Sequence, residues 1–311
     1  MSNTIRKSSP MGNLMIIAAT MIWGAGMSAQ SAGMGYVSPL TFNAARFFLG
    51  GTMALGPALF FLRRQRNEIQ EGAPKAISKR TLFAGLICGT VLCIAINLQQ
   101  FGLVFTSVAN ASFITSLYVI LVPIVCLVAF KQKAPVFVWI GVAVAMVGIY
   151  FLSLSGGFNL NVGDLLVFLC AIVFTAQILF VSHFSPKHNV LALACVQFYT
   201  VFVFSIILAF IFETPSMADL AAAAPYVLYT GVLSSGVAYI LQMKAQKTTH
   251  PTIAAVLFSF ESVVATITGW IVLSQFLTPR EILGCVLIFF AILIAQIPPK
   301  KLQQTSKPKL E

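Results

Sequence analysis

Ten stretches of roughly twenty residues, each dominated by apolar side chains, divide this chain, and its positive charges fall almost entirely into every second interval between them. The stretches run from Asn13 to Ala32, Leu40 to Leu62, Leu82 to Phe105, Ala109 to Phe130, Val136 to Leu154, Val162 to His183, Val190 to Phe212, Ala222 to Gln242, Pro251 to Leu273 and Thr278 to Ile297. A helix needs about 20 residues to cross a hydrocarbon core about 30 Å thick, so each stretch is long enough to span a bilayer. Their apolar character is continuous and lacks the in-out alternation of a transmembrane barrel strand, which selects helices. With 59% hydrophobic and only 9% charged residues, this 311-residue chain has lipid as its main solvent.

The charge placement predicts orientation. Of nineteen Lys and Arg residues, seventeen occupy alternate intervals. They are Arg6 and Lys7; Arg63, Arg64, Arg66, Lys75, Lys79 and Arg80; Lys131 and Lys133; Lys187; Lys244 and Lys247; and Lys300, Lys301, Lys307 and Lys309. The other two are Arg280, at the start of the tenth stretch beside an interval of opposite parity, and Arg46, inside the second stretch. Positive intervals stay on the cytoplasmic side, so both termini are expected there, in a multi-pass protein of the plasma or inner cell membrane. The net charge of +11 would suggest a nucleic-acid partner in a soluble protein, but these charges flank membrane spans and that class is set aside. All six cysteines (Cys88, Cys93, Cys126, Cys170, Cys195, Cys285) lie inside apolar stretches without metal-ligand spacing, so they read as packing residues and no metal is expected.

The chain also repeats itself. A displacement of 151 residues lays Gly12-Asn13-Leu14 on Gly163-Asp164-Leu165, Trp23 on Phe174, and Arg46-Phe47 on Gln197-Phe198. A displacement of 142 lays Gly89 on Gly231 and Gln100 on Gln242, and one of 143 lays Gly141 on Gly284. The expected fold is therefore an all-α polytopic membrane protein with ten transmembrane helices in two halves, residues 1–155 and 156–311. Five helices is an odd number, so the second half enters the membrane from the opposite side, as in inverted-repeat transporters. The hinge falls on the uncharged Ser155-Gly156-Gly157-Phe158-Asn159-Leu160-Asn161.

Polar residues inside a span face a cavity or another helix, and on a helix they recur every three or four positions. Thr90, Cys93, Asn97 and Gln100 form such a stripe in the third span; Ser235, Tyr239, Gln242 and Gln246 form its repeat mate in the eighth. Ser112, Thr115 and Ser116, with Tyr118 nearby and Pro123 beyond, mark the fourth span, and Ser259, Ser262 and Thr266 mark the ninth. Each group admits two readings: hydrogen-bond glue between helices, worth about 0.6 kcal/mol apiece, or the wall of a substrate path. The match between halves favours the path. Trp23, midway along the first span, either walls a site by stacking or fills the core.

Glu261 and Arg46 are the ionisable acid and base that lie clearly inside the spans, away from their ends, and burying a charge at a helix centre costs about 2.5–3.5 kcal/mol. Glu261 reads either as a carboxylate that couples transport to protons or as a structural acid paired with Arg46. Arg46 in turn attracts an anionic group, snorkels or pairs. Small residues at Gly141, Ala145 and Gly148 in the fifth span and at Gly284, Ala291 and Ala295 in the tenth suit close packing as scaffold, or as the contact of a homodimer if the protein is not a monomer.

Ile22-Trp23-Gly24, Arg46-Phe47 and the stretch from Tyr239 to Leu273, with Gln242, Ala245-Gln246-Lys247 and Glu261, resemble the EamA-like family of the drug/metabolite transporter superfamily. The resemblance covers about residues 12–297 and implies a ten-helix permease that moves a small metabolite through a cavity walled by spans one, three, four, six, eight and nine. One departure is Ser262, which follows the glutamate where many relatives carry proline, so the expected break of the ninth helix loses its local cause.

The function expected is a secondary active transporter, with export favoured, of a small metabolite or drug-like solute. Candidate cavity residues are Trp23, Asn97, Gln100, Ser112, Thr115, Tyr118, Tyr239 and Gln242, with Arg46 and Glu261 as the intramembrane charges. No nucleotide-binding loop is present, so no cofactor is expected, and the partners are a small-molecule substrate and the bilayer. A passive channel, facilitator or scramblase is the alternative class. A membrane enzyme ranks last, because His183, His188 and His250 are scattered and nothing converges into a catalytic group.

Overall fold

The computed structural model describes residues 9–67, 78–132, 134–153, 161–273, 278–295 and 297, and every regular element among them is helical. In chain order these are α1 (Pro10–Gly33), α2 (Pro39–Asn67), α3 (Lys79–Phe105), α4 (Val108–Thr115), α5 (Tyr118–Val128), α6 (Val136–Ser153), α7 (Val162–Phe184) and a 3₁₀ turn (Ser185–Lys187). They continue with α8 (Val190–Phe212), α9 (Met217–Ala222), α10 (Ala224–Leu228), a π-helical segment (Tyr229–Ala238), α11 (Tyr239–Gln246), α12 (Pro251–Phe258), α13 (Phe260–Leu273) and α14 (Pro279–Ala295). Seven helical stretches among the described residues are long and apolar enough to cross a membrane, two of them assembled from broken helices, Asn110–Val128 and Pro251–Ile271. Shorter apolar helices cover Val136–Phe151 and Ile282–Ala295. The chain is a multi-pass membrane protein. Residues 155–160 of the expected hinge lie outside the described residues.

Helix starts follow local chemistry. Ser78 accepts from the Thr81 N–H to cap α3, Asn189 accepts from Leu191 and Ala192 to cap α8, and Asn161 with Asp164 forms a reciprocal capping box on α7. Polarity is distributed for lipid rather than water: Phe83, Phe210, Phe212 and Ile271 are 65–74% exposed, whereas Arg46, Asn43, Gln100, Gln177, Gln197 and Gln246 are buried.

Two breaks interrupt the spans. Between α4 and α5, Leu117 N–H donates to Ile114 O at 3.1 Å and Val119 N–H to Ser116 O at 3.0 Å. Between α12 and α13, Ser259 N–H donates to Val256 O and Ser262 N–H to Ser259 O, both at 3.2 Å. These bonds reach back three residues, so each break is a 3₁₀ pinch of the kind that often marks a hinge. The ninth stretch thus breaks without proline at position 262. The first break lies upstream of Pro123, which sits inside α5. Ser116 and Ser259, the pinch residues, are 143 positions apart, the displacement that also relates Gly141 to Gly284.

Helix α6 packs along α14, α2 along α8, and α3 against α7 and α8, while α1 packs against the π segment, α11 and α13. A Cβ added at Gly141 would come 2.9 Å from Ala291 O, and one at Gly148 would come 2.9 Å from Gly284 O. The small residues of α6 and α14 therefore bring these two helices together within one chain.

Candidate functional site

At the centre of the bundle lies a small chamber with a cavity volume of about 40 Å³. Its wall takes Trp23 and Gln30 from α1, Arg46 from α2, Ile96 and Gln99 from α3, Thr115 from α4 and Tyr118 from α5. From later in the chain come Phe174, Gln177 and Ile178 of α7, Ser234 of the π segment, Tyr239 and Gln242 of α11, Phe258 of α12 and Glu261 of α13. Thr115, Tyr118, Phe258 and Glu261 flank the two pinches, so the breaks are what bend the span ends toward one space.

Aromatic rings form part of the wall. The Trp23 ring lies 4.9 Å from Tyr239 and 5.7 Å from Phe258, and Tyr118 meets Phe258 edge-on at 6.2 Å. Trp23 is fixed in place because its Nε1–H donates to Ser234 O at 3.1 Å, while the Tyr229 hydroxyl donates back to Ile22 O at 3.1 Å. The next residue is glycine for a steric reason: a Cβ at Gly24 would lie 2.6 Å from Val264 Cβ and 2.7 Å from Glu261 O. The Ile22-Trp23-Gly24 motif thus presents a ring to the chamber and brings α1 against α13 at the glutamate.

Amides and two charged side chains complete the wall. Gln242 Nε2 donates to Gln177 Oε1 at 3.2 Å, and Gln99 Nε2 donates to Thr115 Oγ1 at 3.4 Å. Gln30 Oε1, Gln177 Nε2 and Gln242 Oε1 are buried without a hydrogen-bond partner, as are Nε and Nη1 of Arg46. Arg46 is 1% exposed, and its guanidinium lies 4.9 Å from the Phe47 ring centre. Buried polar groups are ordinarily satisfied, so several unmatched donors and acceptors around one space describe a surface complementary to a polar ligand.

Seven of the residues singled out by sequence line this chamber: Trp23, Thr115, Tyr118, Tyr239, Gln242, Arg46 and Glu261. Three do not. Asn97 ties helices together, donating to Cys93 O at 2.9 Å and Ser205 Oγ at 3.2 Å while accepting from Asn43 Nδ2 at 2.9 Å. Gln100 and Ser112 are buried, but neither borders the chamber. Thr90, at the head of the third-span stripe, is exposed. In the eighth stretch the i→i+5 bonding of a π-helix shifts the register, so Ser234 rather than Ser235 joins Tyr239 and Gln242. Gln30, Gln99 and Gln177 were missed; an amide inside an apolar span was the available signal. Among the described residues, no group of three or more His, Cys, Asp or Glu side chains is placed to hold a metal ion.

The sequence pattern of the EamA-like transporter family matches twice, over residues 10–154 and 161–296. An uncharacterized transporter of Archaeoglobus fulgidus is 32% identical over 286 residues, spanning 92% of this chain and 85% of that protein. The uncharacterized transporter YoaV of Bacillus subtilis is 24% identical over 280 residues, spanning 88% and 93%. One solved crystal structure superposes with a TM-score of 0.74 at 16% identity, covering 92% of this chain and 98% of that one, which establishes likeness of fold.

Proposed function

Because the chain belongs to the EamA-like transporter family, we propose that the central chamber is the substrate site of a secondary transporter. It moves a small amphipathic metabolite or drug-like solute across the cell membrane by alternating access, with export the favoured direction. The observation that carries this reading is the chamber wall, which combines aromatic rings with unmatched amides and a guanidinium of which two nitrogens lack hydrogen-bond partners. A solute with an apolar body and at least one acceptor group for Arg46 fits that mixed lining.

The reading includes ten helices in two inverted halves, residues 1–155 and 156–311, with both termini cytoplasmic. The twofold family match supports it, as do pinches 143 residues apart and a packing pattern in which α3 meets α7 as the π segment and α11 meet α1. Both halves contribute to the chamber, so rocking one against the other would open it to alternate sides. A reporter fused after Lys309 tests the orientation: cytoplasmic signal is expected, and an extracellular one overturns it.

The test of function begins with a metabolite thermal-shift screen on the detergent-purified protein. True ligands lose their effect in Gln242→Ala. A ligand so found is expected to show saturable counterflow in proteoliposomes. Unsaturated leak in both directions would replace the carrier with a passive channel or scramblase.

A further inference from the structure

Away from the chamber, an open groove lies where α3 begins and α7 gives way to the 3₁₀ turn, lined by Lys79, Arg80, Phe83, Phe184, Lys187 and His188. Four of the six are basic, and no carboxylate lines the groove among the described residues. The two walls are fastened together: His188 Nδ1 lies 3.0 Å from Thr81 Oγ1, which is itself 3.0 Å from Ser78 Oγ. On the turn side, Lys187 Nζ is 2.8 Å from His183 Nε2. Burial, and then the charge of Lys187, hold the His188 imidazole below its usual pKa, as expected where positive groups crowd one another.

The apolar part of the groove chooses among anions. Phe83 is 65% exposed, and Leu82 and Leu86 on the same helix are 45% and 44% exposed. Phe184 stacks on Phe180, which is itself 37% exposed. A soluble anion would use only the cations. A ligand with a negative head and hydrocarbon tails uses both, placing its phosphate at the helix ends and its chains along the lipid-facing rings.

We infer that this groove binds the headgroup of an anionic phospholipid through Lys79, Arg80, Lys187 and His188, with its acyl chains against Phe83 and Phe184. The site is separate from the chamber, so it stands whatever the protein transports.

Native mass spectrometry of the full chain, titrated with phosphatidylglycerol or with phosphatidylcholine of the same acyl chains, tests it. Phosphatidylglycerol is expected to bind at least fivefold more tightly. Each positive charge removed, by Arg80→Ala or Lys187→Ala, should weaken it about fivefold. Arg80→Lys keeps the charge and should stay within about twofold on the same scale. Equal affinity for the two lipids, or selectivity intact in the Arg80→Ala/Lys187→Ala protein, overturns the assignment. So does displacement of the lipid by millimolar inorganic phosphate, which would make the site one for a soluble anion. If the double variant does not fold, wild-type headgroup selectivity and the single variants decide between these outcomes.

Discussion

The hydroxyl oxygens of Ser116 and Ser262 lie 2.7 Å apart, joining the pinch between α4 and α5 to the first turn of α13 just beyond the other pinch. Ser116 Oγ already donates to Ser112 O at 2.8 Å, so the proton between the two serines comes from Ser262. A double-mutant cycle of Ser116→Ala and Ser262→Ala, read by thermal unfolding in detergent, should give a coupling of about 0.6 kcal/mol. A coupling indistinguishable from zero would remove this contact as a link between the pinches.

The contact of α1 with α13 has little room. Gly24→Ala places a methyl group against Val264 Cβ and the Glu261 carbonyl, backbone that cannot rotate away, so a loss of about 1–3 kcal/mol of stability is expected, together with transport. Gly269→Ala, in α13, is the control. Nothing lies within 4 Å of a Cβ there, and relief of helical glycine entropy should make it neutral or stabilising by up to about 1 kcal/mol. Equal behaviour of the two variants would mean that the approach at Gly24 does not matter.

Much of the fold was legible because lipid leaves an uncharged span few choices: it must satisfy its backbone internally, which makes it a helix. The chamber was only partly legible. Arg46, Glu261 and Trp23 stand out because a charge or an indole deep in a span needs a reason. Gln99 does not, since its nearest polar neighbours in helical register are absent, and Asn97 with Gln100 make the more regular stripe. Periodicity gives an angle around a helix; it does not say which neighbour stands at that angle. Asn97 therefore proves to bind α2 and α8 rather than face the chamber. Nor does it announce a change of helix type, which is why Ser235 stood in for Ser234. The pinch at Ser259 had no proline to signal it.

At one end of the bundle Glu213, just past α8, caps α2. Its carboxylate accepts from Leu40 N at 2.8 Å, Thr41 N at 2.9 Å and Thr41 Oγ1 at 2.6 Å, satisfying donors that the first turn of a helix leaves open. Glu213→Ala should lower stability by about 0.5–2 kcal/mol, with Glu213→Gln intermediate because one acceptor oxygen remains. An unchanged melting temperature in both variants would show that the clasp contributes nothing.

Glu261 is in the first turn of α13 and borders the chamber, where under the proposed alternating access a carboxylate would exchange a proton with either side. Proteoliposomes carrying Glu261→Gln are expected to lose the pH dependence of substrate flux while keeping pH-independent counterflow. Flux that responds to pH as in the wild type would exclude Glu261 as the coupling group and leave it a structural acid.

Arg46 offers a test in which stability and function should move in opposite directions. A buried charge costs about 2.5–3.5 kcal/mol at a span centre, and two guanidinium nitrogens of Arg46 have no partner to offset that cost. Replacing such a group with an apolar residue of similar size is often neutral or stabilising. Arg46→Met should therefore leave the melting temperature unchanged or raised, while kcat/KM for an acceptor-bearing substrate falls at least about tenfold, roughly the value of one lost charge-assisted hydrogen bond. Arg46→Lys keeps the charge without the planar fork and should recover only part of the activity. A destabilisation of Arg46→Met by more than about 2 kcal/mol would identify the guanidinium as a structural group, because breaking a buried pair is costly and removing an unpaired charge is not.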